Sequence, residues 1–236
     1  MKIPLLITSS VYVSSSLMEI KDSDRRIELT LAAIKEWIRI DPELEIVICD
    51  GSGFDYKPYV SRDFPNAKIE CLNFINNTEM IKIHGKGYGE GENVNYGITN
   101  SELIKKGNYF AKCTSKYWVE NYEECVKGFN SNFSCEKSYK IRTLNKYVQC
   151  QTIFYISEIE FYKKYFASCY MRVDDFNDYF LENVFGDVIR ENKIKHITFK
   201  HQPLVYGLCG SSGDFYNTNL ESLIGKLFRW IRYLFY

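Results

Sequence analysis

The chain has no charge bias: its 30 Lys and Arg are matched by 30 Asp and Glu among 236 residues. Without a net field to gather a polyanion, a nucleic-acid-binding protein is disfavoured, and any phosphate recognition must come from local groups. No apolar run approaches the roughly 20 residues that cross a bilayer. The opening stretch Met1 to Ile7 is also too short for a signal peptide before it meets Thr8 and Ser9, so neither export nor a membrane span is expected. Histidine is scarce. His84, His196 and His201 stand at no ligand spacing from one another or from a cysteine, which speaks against a structural zinc site. None of the eight cysteines, at 49, 71, 113, 125, 135, 150, 169 and 209, forms a C-x-x-C pair. They are expected as reduced, buried thiols of a cytosolic protein. No Gly-x-Ser-x-Gly elbow, no cysteine with an identifiable histidine partner and no Walker loop occurs, which removes the common serine and cysteine hydrolases and the P-loop enzymes.

What is present is an ordinary foldable composition, 45% hydrophobic and 25% charged, with an unusual aromatic share of 19 Tyr, 16 Phe and 3 Trp. The length suits one large domain, and the aromatics suit flat ligands, sugar faces or a membrane interface. Short apolar runs alternate with helical patterns, the mark of an α/β sheet. Strands are predicted at Ile3 to Thr8, Glu45 to Asp50, Ala67 to Phe74, Asn108 to Cys113 and Val148 to Ile156. The first helix should be capped at Ser23 or Asp24, bury Ile27, Leu31, Ile34 and Ile38, and end before Pro42. A longer helix is expected over Asp174 to Asn192, setting Asp175, Asp178 and Glu182 on one face. The interval 130–146 is polar and poorly patterned. Gly85 to Glu92, with four glycines in eight positions at 85, 87, 89 and 91, invites a mobile loop over a phosphate ligand.

The last segment, 219–236, carries Leu220, Leu223, Ile224, Leu227, Phe228, Ile231, Leu234 and Phe235 on one stripe, with Lys226, Arg229 and Arg232 beside it. It reads as a basic amphipathic helix, suited either to an anionic membrane surface or to docking on its own domain. The expected division is one domain over 1–218 and this helix over 219–236.

Three stretches in succession resemble bacterial GT-A-like glycosyltransferases of O-antigen and capsule synthesis. The first joins Leu5-Leu6-Ile7-Thr8-Ser9-Ser10, Arg25 to Leu31 and Ile48-Cys49-Asp50-Gly51-Ser52-Gly53. The second joins Gly85-Lys86-Gly87-Tyr88-Gly89-Glu90 to Tyr109 to Asn121, similar to a lysine, Thr-Gly-Arg-Tyr, asparagine signature with Ser115 and Lys116 replacing Gly and Arg. The third is Phe180-Leu181-Glu182-Asn183-Val184-Phe185, then Pro203 to Gly207.

The resemblance implies a GT-A-like mixed, mostly parallel sheet flanked by helices. It also implies a nucleotide-sugar donor and a lipid-linked or lipopolysaccharide oligosaccharide acceptor. With the carboxyl-terminal helix, it implies a cytoplasmic protein held peripherally at the inner face of the cytoplasmic membrane. The chain departs from the pattern in lacking the usual Asp-x-Asp, since the fourth predicted strand ends in Lys112; divalent-metal dependence is thereby left open.

A departing nucleoside diphosphate needs positive charge. Lys86, Lys112 and Lys116 are the candidates, with Lys112→Ala expected to lower turnover without disturbing the fold. Asp50, at a strand's carboxyl end where open α/β sheets bind ligands, is expected to hold the nucleoside together with Thr8 and Ser9, and Arg26 to reach the phosphates. Glu182 is the expected base, with Asp175 as its substitute. Two rivals carry different expectations: a nucleotide-dependent methyltransferase using Asp50 to Gly53, which lacks fingerprint glycines after the first strand, and a non-catalytic membrane-associated module of the same fold.

Overall fold

The computed structural model describes residues 2–13, 18–142, 145–209 and 213–218, with the backbone alone for 137–142 and 145–148. The carboxyl-terminal amphipathic segment, 219–236, lies outside the described residues, and with it the proposed membrane contact. No helix among the described residues is long and apolar enough to cross a membrane.

The chain begins with β1 (Leu5–Ser9), α1 (Ser23–Ile40), β2 (Ile46–Asp50), α2 (Lys57–Asp63), β3 (Ile69–Asn73), α3 (Thr78–His84) and α4 (Lys86–Asn100). It continues with β4 (Tyr109–Thr114), β5 (Tyr117–Val119), α5 (Tyr122–Gly128), β6 (Phe133–Arg142) and β7 (Asn145–Glu158). The final elements are α6 (Ile159–Tyr165), α7 (Leu181–Glu191), β8 (Val205–Leu208) and β9 (Phe215–Asn217). A six-stranded sheet runs β3-β2-β1-β4-β7-β6. Its first four strands are parallel, while β7 pairs antiparallel with both β4 and β6. The three-stranded antiparallel sheet β5-β8-β9 stands beside it.

Both faces of the large sheet are covered, which is why β1 and β2 are apolar without alternation. Alternate residues serve two cores. Leu5, Ile7, Ile46, Ile48, Ala111 and Cys113 pack with Ile27, Ile34 and Trp37 of α1 on one face. Leu6, Val47, Cys49 and Phe110 pack with Val94 and Ile98 of α4 and with Val184 and Phe185 of α7 on the other.

The cap of helix α1 lies one residue before Ser23, because Asp22 accepts the Arg25 N–H at 2.7 Å. It stops at Ile40, before Pro42.

Three expectations are corrected. The glycine-rich stretch is helix, not a mobile loop: Gly85, at φ +96, breaks α3 from α4, and Gly87 to Gly97 lie within α4. Their lack of a side chain lets the helix sit close to its neighbours, since a Cβ at Gly91 would lie 2.2 Å from Tyr170 Cβ, and one at Gly97 would lie 2.7 Å from Leu6 Cδ1. The expected helix over Asp174 to Asn192 is broken, because Asp178 takes the left-handed conformation (φ +57) and only Leu181–Glu191 is α-helical. Asp175, Asp178 and Glu182 therefore share no helix face. The cysteines are not all thiols: Cys135 on β6 and Cys150 on β7 are joined as a disulfide, whereas Cys49, Cys71, Cys113, Cys125, Cys169 and Cys209 are free. A shift in the β6–β7 register after Cys135 brings the two together, and no local spacing motif signals it.

Candidate active site

A cavity of about 420 Å³ opens at the carboxyl ends of β1 and β4. This is where the strand order turns from β1 through β2 to β3 on one side and to β4 on the other, the usual ligand crevice of an open α/β sheet. Of the nine sequence-predicted site residues, Thr8, Ser9, Arg26, Lys86, Lys116, Asp175 and Glu182 line it. Asp50 and Lys112 do not, and they lie on opposite faces of the sheet. Asp50 alternates with Ile48 on the α1 face, whereas Lys112 alternates with Phe110 on the α4 face.

Both of these buried charges are held by their own chain. The Asp50 carboxylate accepts the N–H groups of Val11 (3.0 Å), Ser52 (2.8 Å) and Phe54 (3.2 Å), and the Ser52 hydroxyl (2.5 Å). It organises the loops after β1 and β2, and its position beneath them replaces the expected nucleoside contact. Lys112 is fully buried and donates to the Glu90 carboxylate, to Thr114 Oγ1 (2.7 Å) and to the Thr152 carbonyl (2.6 Å). Glu90, Thr114 and Thr152 line the cavity, so the ammonium of Lys112 fastens its floor without facing a ligand.

The cations that do line the cavity stand differently. Arg26, nearly fully buried on α1, donates to the carbonyls of Ser10 (2.7 Å) and Ile20 (2.9 Å). Lys116, also buried, donates to Ser115 Oγ at 3.2 Å. Neither forms an ion pair among the described residues, although a buried charge is costly unless something compensates it. Burial, with Arg26 nearby, pushes the Lys116 ammonium down to about 7. Burial also lowers Arg26, which its intrinsic basicity keeps charged.

Backbone geometry at Lys116 is strained as well, at φ +74, a region that residues with a Cβ seldom occupy. The opposing Gly207 permits it. A Cβ there would lie 2.0 Å from the Lys116 carbonyl oxygen, and the residue itself needs φ +140.

Three carboxylates form the other wall. Glu90 belongs to Lys112. Asp175 accepts the Gly87 N–H at 3.0 Å and so occupies the amino end of α4; burial raises its pKa. Glu182, half-buried in the first turn of α7, accepts the Thr152 hydroxyl at 2.6 Å. Burial raises its pKa too, Thr152 opposing and the nearby Glu90 adding to the rise.

Sequence reasoning passed over Glu90, Thr114, Thr152, Asn76 and Asn93, all on the cavity wall. Glu90 alone had a signal, as the acid of the glycine-rich stretch.

A divalent metal of the kind GT-A folds often use has no fit at the end of β4, which presents Lys112, Cys113, Thr114 and Ser115, while the adjacent Glu90 is tied to Lys112. Among the described residues no group of three His, Cys, Asp or Glu side chains is placed to hold a metal ion.

The strand order and the crevice define an open α/β fold with a mixed, mostly parallel six-stranded sheet flanked by helices. No family model and no curated protein sequence matches it. Among solved structures it is similar to 4-diphosphocytidyl-2C-methyl-D-erythritol synthase, with 12% identity, 98% of this chain and 99% of that chain covered, and a TM-score of 0.49. It is similar to the mannosyltransferase Ktr4p from S. cerevisiae, solved in complex with GDP, at 12% identity, 86% and 71% coverage and a TM-score of 0.49. The inositol-1-phosphate CTP transferase from T. maritima follows at 8% identity, 81% and 83% coverage and a TM-score of 0.48. Likeness at this level concerns the fold, and function has to be argued from the site.

Proposed function

We propose that the chain is a glycosyltransferase that takes a sugar from a nucleotide-sugar donor, with Arg26 and Lys116 receiving the diphosphate. The observation that carries this reading is the pair of buried cations on the cavity wall that form no ion pair among the described residues, Asp50 and Glu90 acting on them only from a distance. A diphosphate supplies the direct countercharge that neither carboxylate provides, and fixed cations in a site shielded from water stabilise the charge that grows on it as the sugar leaves. Lys86, which also lines the cavity beside Asp175, adds a third positive charge.

In the transfer, the bond from the sugar's anomeric carbon to the phosphate oxygen breaks and the bond to the acceptor oxygen forms. Glu182 takes the acceptor's proton, its raised pKa bringing it closer to neutrality, where a general base works well. Thr152 holds that carboxylate in place. The acceptor is a lipid-linked or lipopolysaccharide oligosaccharide, which follows from the resemblance of the three sequence stretches and from the basic aromatic segment 219–236.

Nucleotidyl transfer is the second reading, since similar folds perform it. It is disfavoured by the loop after β1: residues 10–22 contain no glycine, so no glycine brings backbone amides around a triphosphate there. Incubation of the full chain with a panel of nucleotide sugars, and separately with nucleoside triphosphates plus sugar phosphates, distinguishes the two. Release of a nucleoside diphosphate from one nucleotide sugar supports glycosyl transfer, and release of pyrophosphate overturns it. Release of neither leaves the reading without an activity and favours the non-catalytic module.

A further inference from the structure

Uncharged polar side chains also line the cavity. Thr8, Asn76 and Asn93 line it, each more than nine-tenths buried, and Thr8 Oγ1, Asn76 Oδ1 and Asn93 Oδ1 have no hydrogen-bond partner among the described residues. Each such group forfeits about 1–3 kcal/mol of solvation, so three at one place call for a ligand.

Their chemistry is selective. Asn93 spends its amide N–H on the Ser9 carbonyl at 2.8 Å, and Asn76 directs its own toward the Gly89 carbonyl at 3.4 Å. In both, one of the two amide N–H groups is used internally and the carbonyl oxygen is unpartnered. The two amide oxygens accept from O–H donors, and the Thr8 hydroxyl can both accept and donate. The glycines enforce this arrangement. A Cβ at Gly51 would lie 1.9 Å from Asn93 Oδ1, and one at Gly89 would lie 3.0 Å from Asn76 Nδ2. The backbone of Asn76 is pinned as well, its N–H donating to the Gly51 carbonyl at 2.8 Å.

We propose that Thr8, Asn76 and Asn93 form a subsite for the hydroxyl groups of the donor, those of the transferred sugar in preference to those of the ribose. The proposal rests on the glycosyltransferase reading and adds an orientation to it: phosphates toward Arg26 and Lys116, sugar hydroxyls toward the three unpartnered oxygens. These residues then select the donor by its hydroxyl pattern, because a site built to pair a hydroxyl leaves its own groups unsatisfied when the hydroxyl is absent.

The test is calorimetric titration of wild type, Thr8→Val and Asn93→Leu with UDP, GDP, UDP-glucose and GDP-mannose, each variant's thermal midpoint being measured alongside. For the nucleotide sugar that binds wild type, each variant is expected to lose about 3- to 10-fold in affinity, one hydrogen bond's worth, while its nucleoside diphosphate changes less than about twofold. Thr8→Val keeps the shape of the side chain, so it reports on the hydroxyl even where Asn93→Leu fails to fold. Equal losses for diphosphate and nucleotide sugar shift the contact to the ribose or base and overturn the sugar assignment. Unchanged affinity for both overturns the subsite while leaving the wider reading standing. If wild type binds none of the four, the glycosyltransferase reading falls and the subsite with it.

Discussion

Replacing Lys112 with Met tests whether this residue is a strut or a catalyst. The ammonium is fully buried and holds three groups at once: Glu90, Thr114 Oγ1 and the Thr152 carbonyl. Methionine fills much of the same volume but leaves a carboxylate and a carbonyl without their donor. Breaking a buried ion pair from one side costs roughly 3–5 kcal/mol. Glu90 keeps 24% exposure, so water recovers part of its solvation and the lower figure applies. With about 2–4 °C per kcal/mol for a chain of this size, thermal unfolding followed by circular dichroism should move down by roughly 6–12 °C.

The discriminating step is the double variant. In Lys112→Met, Glu90→Gln the orphaned carboxylate is gone, and more than half of the lost stability should return. Were Lys112 instead a ligand-facing cation, Lys112→Met would unfold within a degree or two of wild type and lose only activity. That result, or a double variant no better than the single, refutes the structural reading. Reduced turnover in Lys112→Met is expected in either case, because Thr152 also holds Glu182.

Lys116 makes nucleotide binding depend on pH. Its ammonium is charged below about 7 and neutral above it, and a diphosphate favours the charged form. Affinity should therefore fall as pH rises above 7. Titrations at pH 8 in buffers of different ionisation enthalpy should show uptake approaching one proton, and in Lys116→Arg, which stays charged, no uptake. Thr152→Val removes the hydrogen bond that holds the Glu182 pKa down, so the acidic limb of the pH–rate profile should move to higher pH; an unmoved limb removes Glu182 as the base. Gly91→Ala forces a Cβ to within 2.2 Å of Tyr170 Cβ, and overpacking of this kind costs about 1–3 kcal/mol; unchanged urea denaturation would refute the close packing of α4.

Much of the sheet was legible because β1, β2 and β4 are short apolar runs buried on both faces, a pattern that depends on few long-range facts. Helix α1 was legible through its cap, its stripe and Pro42. In helix α4 glycine density predicts loop chemistry, whereas the glycines serve close approach to neighbours distant in sequence, among them Tyr170 and Leu6. Strand β6 hid in a polar stretch, since it lies at the sheet edge. Seven of the nine predicted site residues reached one cavity because strand ends converge by topology. Asp50 and Lys112 miss the cavity for local reasons that strand periodicity does not carry: Asp50 is taken up by the amides of the loops after β1 and β2, and Lys112 lies one strand repeat beneath Thr114, tied to Glu90 and Thr152. Asn76 and Asn93 had no signal at all, since an asparagine is informative only once its unpaired oxygen is seen.

The central claim is that Arg26 and Lys116 together receive a nucleoside diphosphate. Its most direct test is calorimetric titration of the full chain with UDP and GDP in EDTA at pH 6.5, for wild type and for Arg26→Met, Lys116→Met with its fold checked by circular dichroism. One diphosphate should bind wild type at a 1:1 ratio and fail to bind the folded double variant. Binding of equal strength to both proteins, or no binding to wild type, would contradict the account.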